Sequence, residues 1–245
     1  MAAGWITPDW PAPANVKAAT TLRTGGVSEG AFASLNLGSH VGDDPVAVAE
    51  NRRLLKAALQ LPAEPAWLNQ VHGTNVVVAH SHSSPPTADA SVAHAAGQVC
   101  VVLTADCLPV LLCDRQGTRV AAAHAGWRGL AGGVLKATID ALQIPPSELL
   151  AWLGPAIEQQ AFEVGPKVRE QFLTLDRRND GAFQSNARGR WQADLYQLAR
   201  NELARLGVNA VSGGGLRCHA DEQRFFSYRR NSRTGRMASL VWLAG

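Results

Sequence analysis

Residues 99–129, VCVVLTADCLPVLLCDRQGTRVAAAHAGWRG, restrict the possible folds of this chain more than any other stretch. Two apolar runs, Val99–Leu103 and Leu108–Cys113, lead into the turn Asp114-Arg115-Gln116-Gly117, and a third run, Thr118–Ala125, follows. Short apolar and β-branched runs bounded by turn residues read as buried strands. A short connection containing glycine joins antiparallel neighbours, so the second and third runs form a hairpin. With a loop of four residues, Cys113 faces Thr118 and Cys107 faces His124. Opposed residues have Cβ atoms about 5 Å apart, and a loop longer or shorter by one residue leaves them diagonal neighbours. A thiol and an imidazole thus meet at one end of a rigid ribbon. Such a pair suits a metal site or a Cys–His nucleophile. The alternative is that Cys107 and Cys113 are small buried apolar side chains. The residues alone leave all three readings open.

The chain of 245 residues has length for one large domain with an ample core. Its net charge of +3 slightly favours an anionic small molecule and gives no argument for nucleic acid. No run approaches the roughly 18 apolar residues of a membrane span. The first residues, MAAGWITPDWPAPAN, lack the basic start and apolar core of a secretory signal. The four cysteines (100, 107, 113 and 218) fall mainly in buried-strand patterns, not in a spaced disulfide framework. A reducing cytoplasm is the expected setting. No protein partner is evident.

Residues 1–15 read as a loose or edge extension, and 16–245 as one domain. Val16–Leu22 is a predicted strand leading into Arg23-Thr24-Gly25-Gly26, where paired glycines either present amides to an anion or simply connect. Asp44 and Pro45 predict a helix start, by an N-cap and a proline at the first helical position. That helix runs to about Gln60, with Asn51, Arg52 and Arg53 on a solvated face. Trp67–Val71 is a predicted strand ending at His72, and Val76–Ala79 is another. His80, His82 and Ser83–Pro86 read as an exposed, irregular loop. After Gly129 a helix runs to about Gln143, stopped by Pro145-Pro146. Further elements are a strand at Leu150–Leu153, a helix around Lys167–Leu175 and a polar loop at 176–189. A helix covers Trp191–Leu206, with Gly207 as its C′ residue. Strands follow at Ala210–Val211, Arg224–Tyr228 and Met237–Leu243. Strands outnumber helices and are partly joined by hairpins, which gives an α+β fold with mixed sheets.

His72, Cys107 and His124 are candidate ligands that could converge. Three N/S ligands leave a fourth tetrahedral position open, the pattern of a catalytic zinc site; copper accepts the same donors. Asp106, beside Cys107, is costly if buried unpaired. It pairs with an arginine, orients a ligand histidine, acts as acid or base, or pins the turn. Arg128 precedes a predicted helix start and is a candidate anion holder. Arg229 and Arg230 form either a second clamp or a solvated basic loop.

Several ordered segments carry a family resemblance. NQVHG (69–73), TADCLPVLL (104–112), AHAGWRG (123–129), LGPAI (153–157) and FFSYRR with the later Gly235-Arg236 resemble the YfiH/laccase-domain family, also called the multicopper polyphenol oxidase or purine nucleoside phosphorylase family. TLRTGGVS (21–28), SLNLGSHVGDDP (34–45) and Glu50-Asn51-Arg52 fit as well. The resemblance implies an α/β/β/α layered fold, similar to the catalytic domain of a bacterial necrotising toxin that uses a Cys–His pair. It implies metal ligation by His72, Cys107 and His124. It also implies phosphorolysis of adenosine, inosine and methylthioadenosine, and deamination of adenosine. In that reading zinc is the cofactor, Asp106 handles protons, and Arg23, Arg128 and Arg229 hold phosphate. The sequence departs from the family at Cys218-His219, where Cys-Thr is usual, and this leaves the role of His219 open. The deaminase pattern H-x-E with P-C-x-x-C is absent. The competing functions are a copper-dependent polyphenol oxidase, a metal-free Cys–His hydrolase acting on cell-wall precursors, and a non-catalytic nucleotide-binding protein. With 7 histidines, mostly scattered, a multicopper enzyme is poorly supplied with ligands.

Overall fold

The computed structural model describes residues 4–80 and 84–245; His82 and Ser83 of the expected 80–86 loop lie outside the described residues. In chain order the strands are β1 (Trp5–Ile6), β2 (Val16–Thr21), β3 (Val76–Val78), β4 (Ala90–Ala93), β5 (Val99–Thr104), β6 (Leu108–Asp114), β7 (Val120–Ala125), β8 (Leu149–Leu153), β9 (Glu163–Val164), β10 (Phe183–Ser185), β11 (Trp191–Ala193), β12 (Ala210–Gly213) and β13 (Met237–Leu243). The α-helices are α1 (Pro45–Ala58), α2 (Trp127–Gly132), α3 (Val134–Leu142), α4 (Pro166–Leu175) and α5 (Leu195–Arg205). One sheet has the order β1-β2-β13-β5, a second the order β12-β8-β6-β7-β4-β3, and a small third sheet is β10-β11-β9. The first is antiparallel throughout. The second is antiparallel at its centre and parallel at both edges.

Side-chain alternation along the central strands builds the layers. Cys100, Val102 and Val241 from the first sheet meet Leu111, Cys113, Val120 and Ala122 from the second in one buried cluster. The outer face of the first sheet, with Val99, Val101, Leu103 and Leu240, is covered by Leu35, Leu37 and Leu55. The outer face of the second, with Leu108, Val110, Leu112 and Ala123, is covered by Leu135 and Ile139 of α3, Phe172 of α4 and Leu198 and Leu203 of α5. The chain is therefore an α+β single domain with mixed sheets in an α/β/β/α arrangement. Both faces of the central strands are buried, which is why they read as continuous apolar runs and not as alternating ones.

β5 and β6 belong to different sheets, so residues 105–107 carry the chain from one layer to the other. Asp106 makes that crossing with φ at 97°, in the left-handed region that few non-glycine residues adopt. The hairpin of β6 and β7 is antiparallel as expected, but its register differs by two residues: His124 pairs with Pro109 and Cys113 with Val120. The cause is Asp114, whose carboxylate accepts from the Thr118 and Arg119 amides and the Thr118 hydroxyl and so enlarges the turn. Other expectations shift for local reasons. Trp67–Val71 forms only an isolated bridge from Asn69 to Thr87. The helix after the hairpin starts at Trp127 and breaks at Gly133, whose φ is 96°. Residues 191–193 pair as a strand, and α5 starts later, after the Asp194 cap. Phe225 and Phe226 form no strand; they are buried against Met237, Cys218 and Ala105.

Candidate functional site

His72, Cys107 and His124 converge, with one ligand atom from each lying within 4.8 Å of the others. Cys107 Sγ is 3.7 Å from His72 Nε2, and the two imidazole rings meet edge-on with centroids 4.7 Å apart. Each comes from a different local device. His124 sits near the end of β7, buried between layers. Cys107 closes the crossing between sheets. His72 stands exposed in a loop with φ at 61°.

Asp89, just before β4 and fully buried, organises this trio. Its Oδ1 accepts from His124 Nδ1 at 2.8 Å and from the His72 amide at 2.9 Å. Its Oδ2 accepts from the amides of Gly73 at 2.6 Å and Val71 at 3.2 Å. One carboxylate thus fixes the ring of one histidine and the backbone of the other. With Nδ1 donating to Asp89, His124 keeps Nε2 as its free ligand atom. Gly126 completes the cradle: a Cβ there would fall 2.8 Å from His72 Cδ2 and 2.9 Å from Cys107 Sγ.

The electrostatics follow from this packing. Burial pushes the Cys107 thiol up, but charge and hydrogen bonding from His124 and His72 outweigh it and bring the thiol down to about 6. Burial pushes the His124 imidazole down, but Cys107 and Asp89 raise it to about 9. The pair favours thiolate and imidazolium in the metal-free protein. Burial raises Asp106 above the ordinary carboxylate range, while the Arg229 amide and the Ser227 hydroxyl pull it back less strongly. Asp106 Oδ2 accepts from that amide at 2.6 Å, and Oδ1 is buried without a hydrogen bond. Asp106 therefore orients no histidine; Asp89 does.

These groups line a cavity of about 440 Å³ together with the rings of Trp127, Phe162 and Tyr228, each of which lies under one of the cavity's arginines, Arg128, Arg229 and Arg236. Arg128 is exposed and lies over its neighbour Trp127. Arg229 donates to Ala161 O at 2.8 Å and Glu163 O at 3.5 Å. Arg23 is not brought to this cavity. Its guanidinium donates to Ala33 O and Glu222 O, and it lies over Phe226. In the Gly25-Gly26 loop the Gly26 amide donates to Ser34 Oγ and the Val27 amide to Asn51 Oδ1, so neither of these two is offered to an anion. Asn51 is accordingly buried, not solvated, and Arg52 donates to Leu37 O and lies over Trp67. Arg230 donates to the carbonyls of Cys218, His219 and Phe225. His219 lies beside Glu158, whose carboxylate accepts from the His219 amide.

Sequence reasoning missed Asp89 as the orienting carboxylate, and it missed Arg236 and His40 in the lining. No spacing marks Asp89, because its partners come from two distant segments. Arg236 and His40 both fall within motifs already singled out, and that was the available signal.

Residues 17–244 match the profile of the family described as multi-copper polyphenol oxidoreductase laccase. The chain belongs to this family. A relative from Pseudomonas aeruginosa, named purine nucleoside phosphorylase, is 58% identical over 98% of each chain. Another family relative, purine nucleoside phosphorylase YfiH from Escherichia coli, is 51% identical over 97% of this chain and 98% of its own. The crystal structure of a Neisseria meningitidis protein superimposes with a TM-score of 0.95 at 55% identity, covering 98% of this chain and 99% of that one. YlmD from Geobacillus stearothermophilus gives a TM-score of 0.85 at 29% identity, covering 95% and 93%.

Proposed function

We propose that this chain is a zinc-dependent purine nucleoside phosphorylase. Its proposed substrates are adenosine, inosine and methylthioadenosine, and the same site deaminates adenosine. A reducing cytoplasm is the proposed setting. The observation that carries the reading is the His72–Cys107–His124 trio, held by Asp89 at one wall of a cavity lined by aromatic rings and arginines. The names of relatives at 58% and 51% identity support the nucleoside part.

The donor set fits a metal. Two imidazole nitrogens and a thiol lie within 4.8 Å of one another, and three N/S donors suit a tetrahedral ion with one open position. Held by His72, Cys107 and His124, zinc would supply a Lewis acid and would lower the pKa of a water it carries to about 7. Copper accepts the same donors. Among the described residues this is the one cluster of its kind, whereas a multicopper oxidase needs several.

In phosphorolysis a phosphate oxygen bonds to ribose C1′. The glycosidic C–N bond breaks, its electron pair goes to the base, and a proton must reach the base. Asp106, raised by burial, holds its proton to higher pH than an exposed carboxylate and is the proposed donor. Trp127, Phe162 and Tyr228 offer faces for the purine, and the volume is within the usual range for a small-ligand site. In deamination water adds at the purine C6 and ammonia leaves.

A second reading rests on the thiol, brought down to about 6, which would also serve a metal-free Cys–His nucleophile. Purified protein incubated with adenosine, with and without phosphate, separates the two. The phosphorylase reading expects adenine only when phosphate is present, inosine in either case, and loss of both products on chelation and in Cys107→Ala and His124→Ala. Normal turnover in those variants would overturn the site assignment. Full activity after stringent chelation, lost on alkylating Cys107, would establish the nucleophile reading. Adenosine that binds without conversion would mark a binding protein.

A further inference from the structure

The arginines around the cavity are not equivalent as anion donors. The fork of Arg229 is engaged by the carbonyls of Ala161 and Glu163. Arg128 is exposed, with only Trp127 beneath it. Arg236 differs from both. It is half-buried, and the charges of Cys107 and Asp106 act on its guanidinium. Both of its side-chain hydrogen bonds come from Nη1, to Thr234 O at 2.9 Å and Gly235 O at 3.0 Å. Nε and Nη2 make none among the described residues. The fork is therefore anchored at one corner and open along an edge, the geometry of a bidentate contact to an oxyanion.

The SLNLGSH segment explains how Arg236 is held there. Asn36 is fully buried, and its Oδ1 accepts from the amides of Arg236 at 2.9 Å and Gly38 at 3.0 Å. The Leu37 amide donates to Arg236 O at 3.2 Å. The Arg236 stem passes directly over Gly38, where a Cβ would fall 2.8 Å from Arg236 Cγ. The loop continues to His40, which lines the same cavity. Burial together with the charges of Arg236 and Arg52 lowers the His40 pKa.

We infer that Arg236, seated on the 36–38 loop and joined by His40, is the phosphate subsite of this cavity. It takes the phosphate dianion as co-substrate and as the ester of the sugar 1-phosphate product. The assignment rests on the phosphorylase reading for its role in turnover, but not for binding itself.

The test uses zinc-loaded wild type, Arg236→Gln, Gly38→Ala and Arg128→Gln. Each is titrated with inorganic phosphate by calorimetry and assayed for phosphate-dependent cleavage of inosine. A charge-assisted contact predicts that Arg236→Gln weakens phosphate binding about 10- to 100-fold and raises KM for phosphate by a similar factor. KM for inosine and zinc content stay near wild type. Gly38→Ala retains every cation and shifts phosphate binding in the same direction by less. Arg128→Gln has the smaller effect of the two arginine variants. Wild-type phosphate affinity in Arg236→Gln, or a larger loss in Arg128→Gln, overturns the subsite. If no nucleoside is cleaved but phosphate binding still depends on Arg236, the phosphorylase reading fails and the subsite stands. If inosine is cleaved normally with unaltered phosphate affinity in Arg236→Gln, the subsite alone fails.

Discussion

At the cavity wall that carries His72, Cys107 and His124, a single buried carboxylate, Asp89, holds the ring of one histidine and the backbone of the other, whereas the arginines of the surrounding loops differ in how many of their donors are already engaged. Arg23 and Arg230 look like anion clamps by charge alone, yet backbone carbonyls occupy their guanidinium groups. Charge count therefore says little about where an anion binds; free donors on an anchored stem say more. At the wall the lesson is reversed. There the decisive group is an anion with no free capacity, since each Asp89 oxygen accepts two hydrogen bonds.

The largest expected effect breaks the wall. Asp89→Asn places an NH2 group either against the amides of Val71 and Gly73 or against the His72 amide and His124 Nδ1, so donors face donors in both orientations. We expect zinc affinity to fall about 10- to 100-fold, the usual cost of losing a partner that orients a ligand histidine. Stability should also fall, by about 1–3 kcal/mol for buried groups left unpaired. Zinc titration with a competing chelator and thermal melts measure the two separately; undiminished zinc affinity would show that Asp89 is only structural.

A middle-sized effect concerns the thiol. With its pKa lowered to about 6, Cys107 in the metal-free protein is thiolate at neutral pH. Its alkylation rate should stay high down to about pH 6 and fall as pH drops through that value, while zinc protects it. A midpoint near the ordinary thiol value of about 8.5 would remove the imidazoles' influence. Cys100 and Cys113 are pushed up to about 12 by burial and should not react over this range.

The smallest effect sharpens the contrast among the arginines. Arg23→Gln should lower stability by about 1–2 kcal/mol through lost contacts to carbonyls. For a chain of this size that is a Tm decrease of about 2–8 °C. KM for phosphate should not move; a rise would return Arg23 to the site.

The α+β class was legible because buried strands and caps are local signals, whereas the layered arrangement followed only from the family resemblance. Met237–Leu243 and the Asp44-capped α1 stand where periodicity and N-cap chemistry put them. The trio was legible for a different reason: its residues lie in ordered motifs of a recognisable family. The geometric route to it was less accurate, because the Asp114 turn moves the hairpin register and His124 faces Pro109. Cys107 still reaches His124 because the sheet-to-sheet crossing returns it to the same strand end. What stayed hidden depends on contacts distant in sequence. Asn51 looks solvated on a helical wheel, yet it ties the loops at 27–36 to α1. Asp89 and Arg236 acquire their roles only once segments far apart in the chain are packed together.

His72, Cys107 and His124 are proposed to hold one metal ion. Elemental analysis of the purified chain, beside Cys107→Ala and His124→Ala that melt as folded proteins, tests it most directly. The wild-type chain should carry about one equivalent of zinc, as a single three-ligand site requires, and either variant almost none. Variants that keep a full equivalent, or a wild-type chain that turns over nucleosides with no bound metal, would contradict it.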